Sequence, residues 1–197
     1  NNWIRSVKSG YDNITFASDG LFARGFILHD GFLYVSNRNE NSSSATTSLT
    51  QYSASTGERI SSITLGDDAS VAYYPCNDVI KDSNGNIIVT NLTLNASSTP
   101  LKLFSVNLET GEVTLKATCT SSVASSRIDH CAVYGDITSG NFFVFAPIAS
   151  SKTVVRWTFS NGVQTSEQVC TLASVYPTSA ANVGIAPRIM PISETKF

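Results

Sequence analysis

The sequence predicts an all-β fold made of three repeated units, each with four antiparallel strands. Polar-glycine turn pairs recur along the chain, and the segments between them have the apolar patterns of strands. No long segment has the 3.6-residue apolar period of an amphipathic helix. With 197 residues, 42% of them hydrophobic, the chain has the size of one domain and can bury a core. We therefore expect residues 1–197 to form a single domain.

An outer hairpin is predicted at three places by one turn pattern. Its glycines are Gly57, Gly111 and Gly162, which are 54 and 51 residues apart. Each turn follows a segment of alternating apolar and polar residues, and the segments after the turns are 60–65, 113–116 and 163–169. Glycine readily adopts the positive φ angle that such turns need, so this pattern predicts β-hairpins.

An inner hairpin is predicted upstream of each outer one. Its strands are short and continuously apolar, which indicates burial on both faces. The predicted strands are 26–28 and 32–35 around Asp30-Gly31, 79–80 and 87–89 around Asn84-Gly85, and 132–134 and 142–145 around Ser139-Gly140. The complete units span about 24–65, 77–117 and 130–169, and flanking strands are expected in 1–20 (Trp3–Val7) and 182–197 (Val183–Ile192).

Four strands per repeat and a period near 50 residues are typical of β-propeller blades. The Thr-Gly-Glu outer turns (56–58 and 110–112) and inner hairpins such as DGFLYV (30–35) resemble those of secreted propellers of the YVTN, NHL and quinoprotein-like kind. The segments LFARGFILHDGFLYVSNR (21–38) and APRIMP (186–191) resemble an uncharacterised family of secreted Bacteroidetes propeller proteins. That resemblance implies a propeller fold and carries no known activity.

Three full blades are fewer than the four to eight that propellers usually have. Either the flanking strands combine into a fourth blade and close a small ring, or the chain is part of a larger propeller. The resemblance favours the second arrangement, because members of that group are longer. An incomplete propeller exposes two apolar blade faces, so we then expect self-association or packing against another segment.

Composition limits the partners and the compartment. The net charge of −2 and the absence of a Lys/Arg cluster argue against nucleic-acid binding. No run of 18 apolar residues occurs, so no transmembrane segment is expected. The Ser-, Thr- and Asn-rich sequence, with 14% charged residues, favours a secreted, periplasmic or cell-surface protein.

The four cysteines, Cys76, Cys119, Cys131 and Cys170, allow three disulfide pairings, and their spacing fits no C-x-x-C motif. Unpaired cysteine is among the most frequently buried residue types. We expect buried thiols in preference to disulfides.

A candidate ligand site is predicted on the face of the propeller that carries the long loops. There the first inner strands begin, and the second inner strands end, with polar residues that should converge on the mouth of the central channel. They are Arg24, Asn37, Arg38, Asn77, Asp78, Asn91, Asp129, His130 and Arg188. Because arginine binds carboxylates in a bidentate manner, this set suits a small polar or carboxylate-bearing ligand such as a sugar. The alternative is that these residues only bond neighbouring blades to each other.

Catalytic and metal-binding motifs are absent, so we expect no cofactor and no metal site. Two histidines cannot form a three-His metal site, and neither H-E-x-x-H nor G-x-S-x-G occurs. The adjacent Asp129 and His130 should point to opposite faces of a strand, which argues against an acid–base pair. The segment DSNGN (82–86) begins like a calcium loop, but Thr93 stands where a bidentate Glu is needed, so a hairpin turn is predicted.

The sequence therefore predicts a non-catalytic binding or scaffold module, with a glycan or a protein as the partner. The alternative is a propeller-based polysaccharide lyase or glycoside hydrolase. Glycosidases need two carboxylates, and Asp78 and Asp129 are the inner-strand candidates. A third interpretation is a purely structural array of blades that packs against another domain.

Overall fold

A computed structural model describes residues 23–38, 47–66, 74–172 and 188–197. These residues contain twelve β-strands and no helix. The strands are β1 (Ala23–His29), β2 (Phe32–Arg38), β3 (Thr47–Ser53), β4 (Arg59–Thr64), β5 (Asp78–Lys81), β6 (Ile87–Thr90), β7 (Leu101–Val106), β8 (Val113–Cys119), β9 (Ala132–Asp136), β10 (Asn141–Pro147), β11 (Thr153–Ser160) and β12 (Val163–Thr171). Within these segments no helix is long and apolar enough to cross a membrane.

The strands form three separate four-stranded antiparallel sheets. The first sheet is β1-β2-β3-β4, the second is β5-β6-β7-β8 and the third is β9-β10-β11-β12, each in chain order. The all-β fold class and the three four-stranded units predicted from the sequence are confirmed, and every predicted inner and outer hairpin falls within one of these sheets. The three sheets do not form a closed ring in the part of the chain that the structure describes.

One predicted flanking strand is wrong in its described part, and the other lies outside the described residues. The prediction placed a strand at Val183–Ile192, but residues 188–192 belong to no strand. Pro191 has no N–H group to donate to a strand ladder. The chain turns tightly after it, and the Ile192 N–H donates to the Lys196 carbonyl at 2.8 Å. The predicted strand Trp3–Val7 is in the segment that is not described.

The turns have the geometry that their glycines predict. In the first two units the outer turns are equivalent, because Gly57 N donates to Ser53 O and Gly111 N donates to Asn107 O, both at 2.8 Å. The third outer turn is shorter. Its central residues, Asn161 and Gly162, have φ angles of 51° and 77°, as a two-residue turn between twisted antiparallel strands requires.

Two hydrophobic cores hold the three sheets side by side. The core between the first and second sheets includes Leu49, Val79 and Phe104. The core between the second and third sheets includes Ile88 and Trp157, whose indole N–H donates to the Thr120 carbonyl at 2.9 Å. The second sheet therefore lies in the middle and is covered on both faces.

Burial of the inner strands follows the prediction in the middle sheet and departs from it at one end. All four residues of β6 are buried. In β1, by contrast, Phe26 and Leu28 are 67% and 58% exposed, which contradicts the expected burial on both faces. The reason is position: β1 belongs to an end sheet, and only the face that carries Gly25 packs against the second sheet.

The two hairpin turns of a sheet lie at the same end of that sheet. In the first sheet Ala54 N donates to Gly31 O at 2.9 Å, and in the third Gly162 N donates to Gly140 O at 3.0 Å. The connections between second and third strands, and between sheets, therefore leave from the opposite end. Of these long connections, 39–46, 67–73 and 173–187 lie outside the described residues.

Candidate functional site

The first strands of the three sheets lie next to one another. Strand β5 is in the middle, in contact with β1 on one side and β9 on the other. The Lys81 ammonium group donates to the Leu28 carbonyl at 2.8 Å, and Ser83 N donates to Gly135 O at 3.2 Å. Side chains at the beginning of β5 can therefore reach residues of all three sheets.

Asp78 is the residue that does so, and its side chain is completely buried. One carboxylate oxygen accepts a hydrogen bond from His130 Nδ1 at 2.7 Å. The other accepts from Arg188 Nη2 at 3.2 Å and from the Val79 N–H at 3.0 Å. An ionised carboxylate can only accept hydrogen bonds, so this contact fits the His130 tautomer that carries its proton on Nδ1. The charge of Asp78 is thereby compensated by Arg188 and by two further N–H groups.

Asp78 also fits closely against the first sheet because of a glycine. A Cβ atom at Gly25 would overlap Asp78 Oδ1 and would lie 2.8 Å from the Val79 nitrogen. No side chain larger than a hydrogen atom is compatible with this approach. Gly25, Asp78, His130 and Arg188 thus bring the first, second and third sheets and the segment 188–197 together at one buried carboxylate.

Asp129 belongs to a separate ion pair. Both of its oxygens are bound by the Arg127 guanidinium, at 2.8 Å from Nε and 2.7 Å from Nη2. These hydrogen bonds raise the pKa of Arg127. Asn77 joins this region to the second sheet, because its amide donates to the Asp129 backbone carbonyl at 2.7 Å. The side chains of the adjacent Asp129 and His130 bind different partners, Arg127 and Asp78.

The remaining predicted site residues do not join the Asp78 cluster in the described structure. The Asn37 amide donates to the Thr50 hydroxyl at 2.8 Å, within the first sheet. Asn91 accepts from the Lys102 N–H at 2.7 Å, within the second sheet. Arg24 is exposed. Arg38 is the last residue of β2, and its side chain lies outside the described part of the structure.

Beside the Asp78 cluster a cleft of about 490 Å³ runs along the inner strands. It lies between the end of β5, the beginning of β9 and the segment 188–191. Its lining combines cationic, acidic, polar and apolar residues: Lys81, His130, Arg188, Asp82, Ser83, Cys131, Tyr134, Ile80, Ala132, Val133, Ile189, Met190 and Pro191. Neither Asp78 nor Asp129 lines it.

The guanidinium of Arg188 is the most prominent polar group at this cleft. Its side chain remains 51% exposed although one nitrogen binds Asp78. Arginine carries five N–H donors in a fixed fork, so the others can bind a ligand. His130 has only 14% of its side chain exposed, with Nδ1 held by Asp78. The cleft therefore has a fixed cationic and hydrogen-bonding end above apolar walls.

The thiol in the cleft wall is not poised for nucleophilic chemistry. All four cysteines are present as thiols, and Cys131 is buried. Burial raises the pKa of the Cys131 thiol well above its ordinary value, the negative charge of Asp78 raises it further, and Arg188 opposes the shift. A reactive cysteine needs the opposite environment, one that stabilises the thiolate.

The calcium-like segment 82–86 is a hairpin turn, as predicted. Asp82 accepts hydrogen bonds from Asn84 N and Asn86 N, both at 2.9 Å, and from Ile137 N at 2.9 Å. Its oxygens are used to hold the turn and to fasten it to the third sheet. Across the described segments, no group of three or more His, Cys, Asp or Glu residues is placed to hold a metal ion.

Sequence reasoning missed four residues that shape this region. Gly25 and Arg127 fix the two carboxylates, whereas Lys81 and Tyr134 line the cleft. The sequence Arg-x-Asp before β9 could have indicated the ion pair between Arg127 and Asp129. Gly25 stands in an otherwise apolar inner strand, where a glycine indicates close backbone approach.

Comparison with protein families identifies the region that contains most of these strands. A family model described as a domain of unknown function, DUF8500, matches residues 40–186. This chain belongs to the DUF8500 family. The matched region of the DUF8500 chain includes β3 to β12, with Asp78 and His130, and excludes Gly25 and Arg188. No curated protein matches the chain.

Among solved structures, the DUF8500 chain is similar to the crystal structure of a DUF4623 family protein from Bacteroides eggerthii DSM 20697. The sequences are 16% identical and the TM-score is 0.57. The similarity covers 78% of this chain and 37% of that chain, so the DUF8500 chain spans well under half the length of this relative. At this identity the likeness concerns the fold alone.

Proposed function

We propose that this chain is a non-catalytic binding module built as part of a β-propeller of the YVTN, NHL and quinoprotein-like kind, and that it acts outside the cytoplasm. Its ligand is a carboxylate-bearing sugar, bound in the cleft between β5, β9 and residues 188–191. The propeller is supported by three four-stranded sheets placed side by side with their first strands together. The Ser-, Thr- and Asn-rich composition, with few charged residues, supports the compartment.

The exposed guanidinium of Arg188 is the observation that carries the proposed ligand. It lies at a cleft of about 490 Å³, which is the size of a small-molecule site. Asp78 fixes its orientation from behind, and Lys81, whose ammonium group donates to the Leu28 carbonyl of β1, also lines the cleft. Arginine binds a carboxylate through two parallel N–H groups, which gives orientation as well as affinity.

The rest of the lining favours a sugar over a simple inorganic anion. Tyr134 offers an aromatic ring with a polar tip, and His130 and Ser83 add hydrogen-bonding groups. Ile80, Val133 and Ile189 supply the apolar wall. A uronic acid combines a carboxylate, hydroxyl groups and apolar ring faces, and it is therefore the ligand class that matches this lining.

The arrangement gives the glycosidase or lyase alternative no support. Both oxygens of Asp78 and both of Asp129 accept hydrogen bonds from neighbouring side chains, and neither residue lines the cleft. A glycosidase needs two carboxylates that reach the scissile bond. The two acidic candidates are instead used to hold the inner strands and the approach to β9.

Thermal unfolding in the presence of oligosaccharides tests the proposal. The chain is heated with oligogalacturonates and, separately, with neutral oligosaccharides of equal length, each with and without calcium. A ligand at one hundred times its Kd stabilises a protein by about 2.7 kcal/mol. In a domain of this size that corresponds to a Tm increase of roughly 5–10 °C. We expect this increase with the acidic oligosaccharides only.

Two variants locate the binding. Arg188→Gln and Lys81→Gln should each reduce the ligand-induced increase in Tm. Arg59→Gln is the matched control, because Arg59 is an exposed cation on an outer strand. Equal stabilisation by neutral and acidic sugars would contradict the carboxylate assignment. An unchanged Tm with every sugar, in a chain that melts cooperatively, would refute the proposed ligand class.

A further inference from the structure

The segment 188–197 forms one wall of the cleft and then crosses the outer face of the third sheet. Arg188, at its beginning, lines the cleft beside β9. Further along, the Glu194 carbonyl accepts a hydrogen bond from β11, and the Phe197 ring lies 5.6 Å from the Phe145 ring of β10. The position of the Arg188 guanidinium therefore depends on how the whole segment is held.

Among the described residues, contacts that involve side chains are the ones that hold this segment on the sheets. The backbone hydrogen bonds found in it join its own residues, since the N–H groups of Ile192 and Ser193 donate to the Lys196 carbonyl at 2.8 Å and 3.2 Å. A strand, by contrast, is fixed to its neighbour by a ladder of backbone hydrogen bonds. A segment with few such contacts has a low local stability, so a single side chain can decide how fully it is docked.

Arg156 is the side chain that holds the segment on the outer face of the third sheet. It is paired with Phe145 of β10, and residues paired in this way point to the same face of a sheet. The next residue, Trp157, is in the core toward the second sheet, so Arg156 points to the opposite face. Its Nη1 donates to the Glu194 carbonyl at 2.6 Å, and its guanidinium carbon lies 5.4 Å from the centre of the Phe143 ring.

The segment is thus held at two separate places. Near the cleft, Arg188 binds Asp78 at 3.2 Å. Away from the cleft, Arg156 binds the segment six residues later, and Arg156 does not line the cleft. The two places are connected through the sheet, because Phe143 under the Arg156 guanidinium is paired with Tyr134, which lines the cleft.

The docked segment is not favourable for every atom of Arg156. Its Nε is buried and has no hydrogen-bond partner among the described residues. A buried N–H group that has lost water without gaining an acceptor is unfavourable. Docking of the segment is therefore only moderately favoured, and the hydrogen bond that Nη1 donates to Glu194 helps to determine how often the segment is in place.

We propose that Arg156 is a positioning residue for the ligand, because it holds the segment 188–197 on the third sheet and thereby places the Arg188 guanidinium for a carboxylate. This role rests on the function proposed above. When the binding-competent arrangement is only partly populated, the apparent affinity falls in proportion to its population. Loss of the Arg156 contact weakens the binding of an acidic sugar in this way, although Arg156 does not touch the sugar.

Calorimetric titration with an oligogalacturonate tests the role of Arg156. Arg156→Met keeps a long side chain but removes its charge and its donors. It should raise the Kd by about 5- to 10-fold, which corresponds to a docked fraction of about one fifth to one tenth. Arg156→Lys should raise the Kd by less than about 3-fold, because lysine keeps the charge and can donate to the Glu194 carbonyl. Without ligand, trypsin should cleave after Arg188 faster in Arg156→Met than in Arg156→Lys.

Two matched variants separate positioning from general effects on stability and charge. Glu167 points to the opposite face of the same sheet and accepts hydrogen bonds from Ser121 Oγ at 2.8 Å and Ser122 N at 3.0 Å. Glu167→Met should therefore lower the midpoint of urea unfolding at least as much as Arg156→Met, but leave the Kd and the cleavage after Arg188 unchanged. Arg59→Met removes one exposed positive charge from the outer strand β4 and should also leave both unchanged.

Comparison with Arg188→Gln shows which proposal a negative result concerns. If Arg188→Gln weakens binding and Arg156→Met does not, the positioning role is wrong and the proposed ligand stands. An equal rise of the Kd in Glu167→Met would also overturn the role of Arg156, because the effect would then come from stability alone. If neither Arg188→Gln nor Arg156→Met changes the binding of the oligogalacturonate, the proposed function is wrong, and the role of Arg156 fails with it.

Discussion

Asp78→Ala should lower the free energy of unfolding by about 3–5 kcal/mol, the usual cost of removing one partner from a buried ionic group. The carboxylate is fully buried and accepts hydrogen bonds from His130, Arg188 and the Val79 N–H. Its removal leaves the nearly buried His130 Nδ1 and the Val79 N–H without their acceptor, and it leaves a cavity. Arg188 is half exposed and can turn to water, so its own loss contributes little.

Asp78→Asn separates charge from volume. The amide fills the same space, but its NH₂ group must face one of the N–H donors that the carboxylate bound. We expect a loss of about 1–3 kcal/mol, the range for one buried group that is left unsatisfied. Glu109→Gln is the control, because Glu109 is exposed in an outer turn and its substitution should change stability by less than about 0.5 kcal/mol.

Urea unfolding measured by tryptophan fluorescence is a suitable assay, since Trp157 is completely buried in the core between the second and third sheets. For a domain of this size, 3–5 kcal/mol corresponds to a decrease in Tm of roughly 6–20 °C. Trypsin should also cleave after Arg188 more rapidly in Asp78→Ala, because the segment 188–197 loses its anchor. A stability within about 1 kcal/mol of the unaltered chain would refute the view that this carboxylate joins the sheets.

Three further predictions concern single positions. Gly25→Ala should destabilise the fold by about 1–3 kcal/mol or more, because the new Cβ overlaps Asp78 Oδ1. Urea unfolding measures this loss. An unchanged stability would contradict the close approach of the β1 backbone to Asp78. Iodoacetamide at pH 8 should modify the half-buried Cys170 and spare Cys131, because burial raises the pKa of the Cys131 thiol. Mass spectrometry after proteolysis shows the order in which the cysteines are alkylated. Modification of Cys131 before Cys170 would contradict this prediction. Hydrogen bonds from the hydroxyl and the N–H of Thr138 lower the pKa of Asp136 below its ordinary value of 3.8. The ionised Asp136 carboxylate therefore stabilises the fold above pH 3.8. This stabilisation is lost as the pH falls through the lower pKa of the native state. The Asp136→Asn variant should therefore lose less stability than the unaltered chain between pH 4 and pH 2 in acid titrations followed by circular dichroism.

Local patterns were sufficient to predict the strands. Turns such as Asn161-Gly162 need positive φ angles, and the residues on either side alternate as the pleat of a strand requires. Both signals depend only on residues that are close together in the chain, so they can be read from a single sequence. The same reasoning predicted a strand through residues 188–192, where an apolar run is interrupted by Pro191, and there the missing N–H group decided against it.

The candidate site was predicted only in part, because its geometry depends on contacts between sheets. The ends of inner strands indicated which polar residues could meet, and Asp78, His130 and Arg188 do meet. Position along a strand does not reveal which side chain finds a nearer partner. Asn91 illustrates this, since a backbone N–H of its own sheet lies within hydrogen-bond distance and takes its side chain away from the cluster.

The structural and ligand-binding interpretations of Arg188 are compatible, because they use different parts of the same group. One nitrogen of the guanidinium binds Asp78, which is fully buried and therefore cannot contact a ligand directly. The same guanidinium lines the cleft, to which Lys81 also contributes although its ammonium group binds the Leu28 carbonyl. A guanidinium that is held from behind loses little side-chain entropy when it binds a carboxylate, whereas an unrestrained arginine must be ordered at that moment. Asp78→Asn should consequently weaken the binding of an acidic oligosaccharide even though Asp78 does not touch it, and the loss should exceed that caused by Glu109→Gln. If Asp78→Asn binds as tightly as the unaltered chain, the carboxylate serves the fold alone.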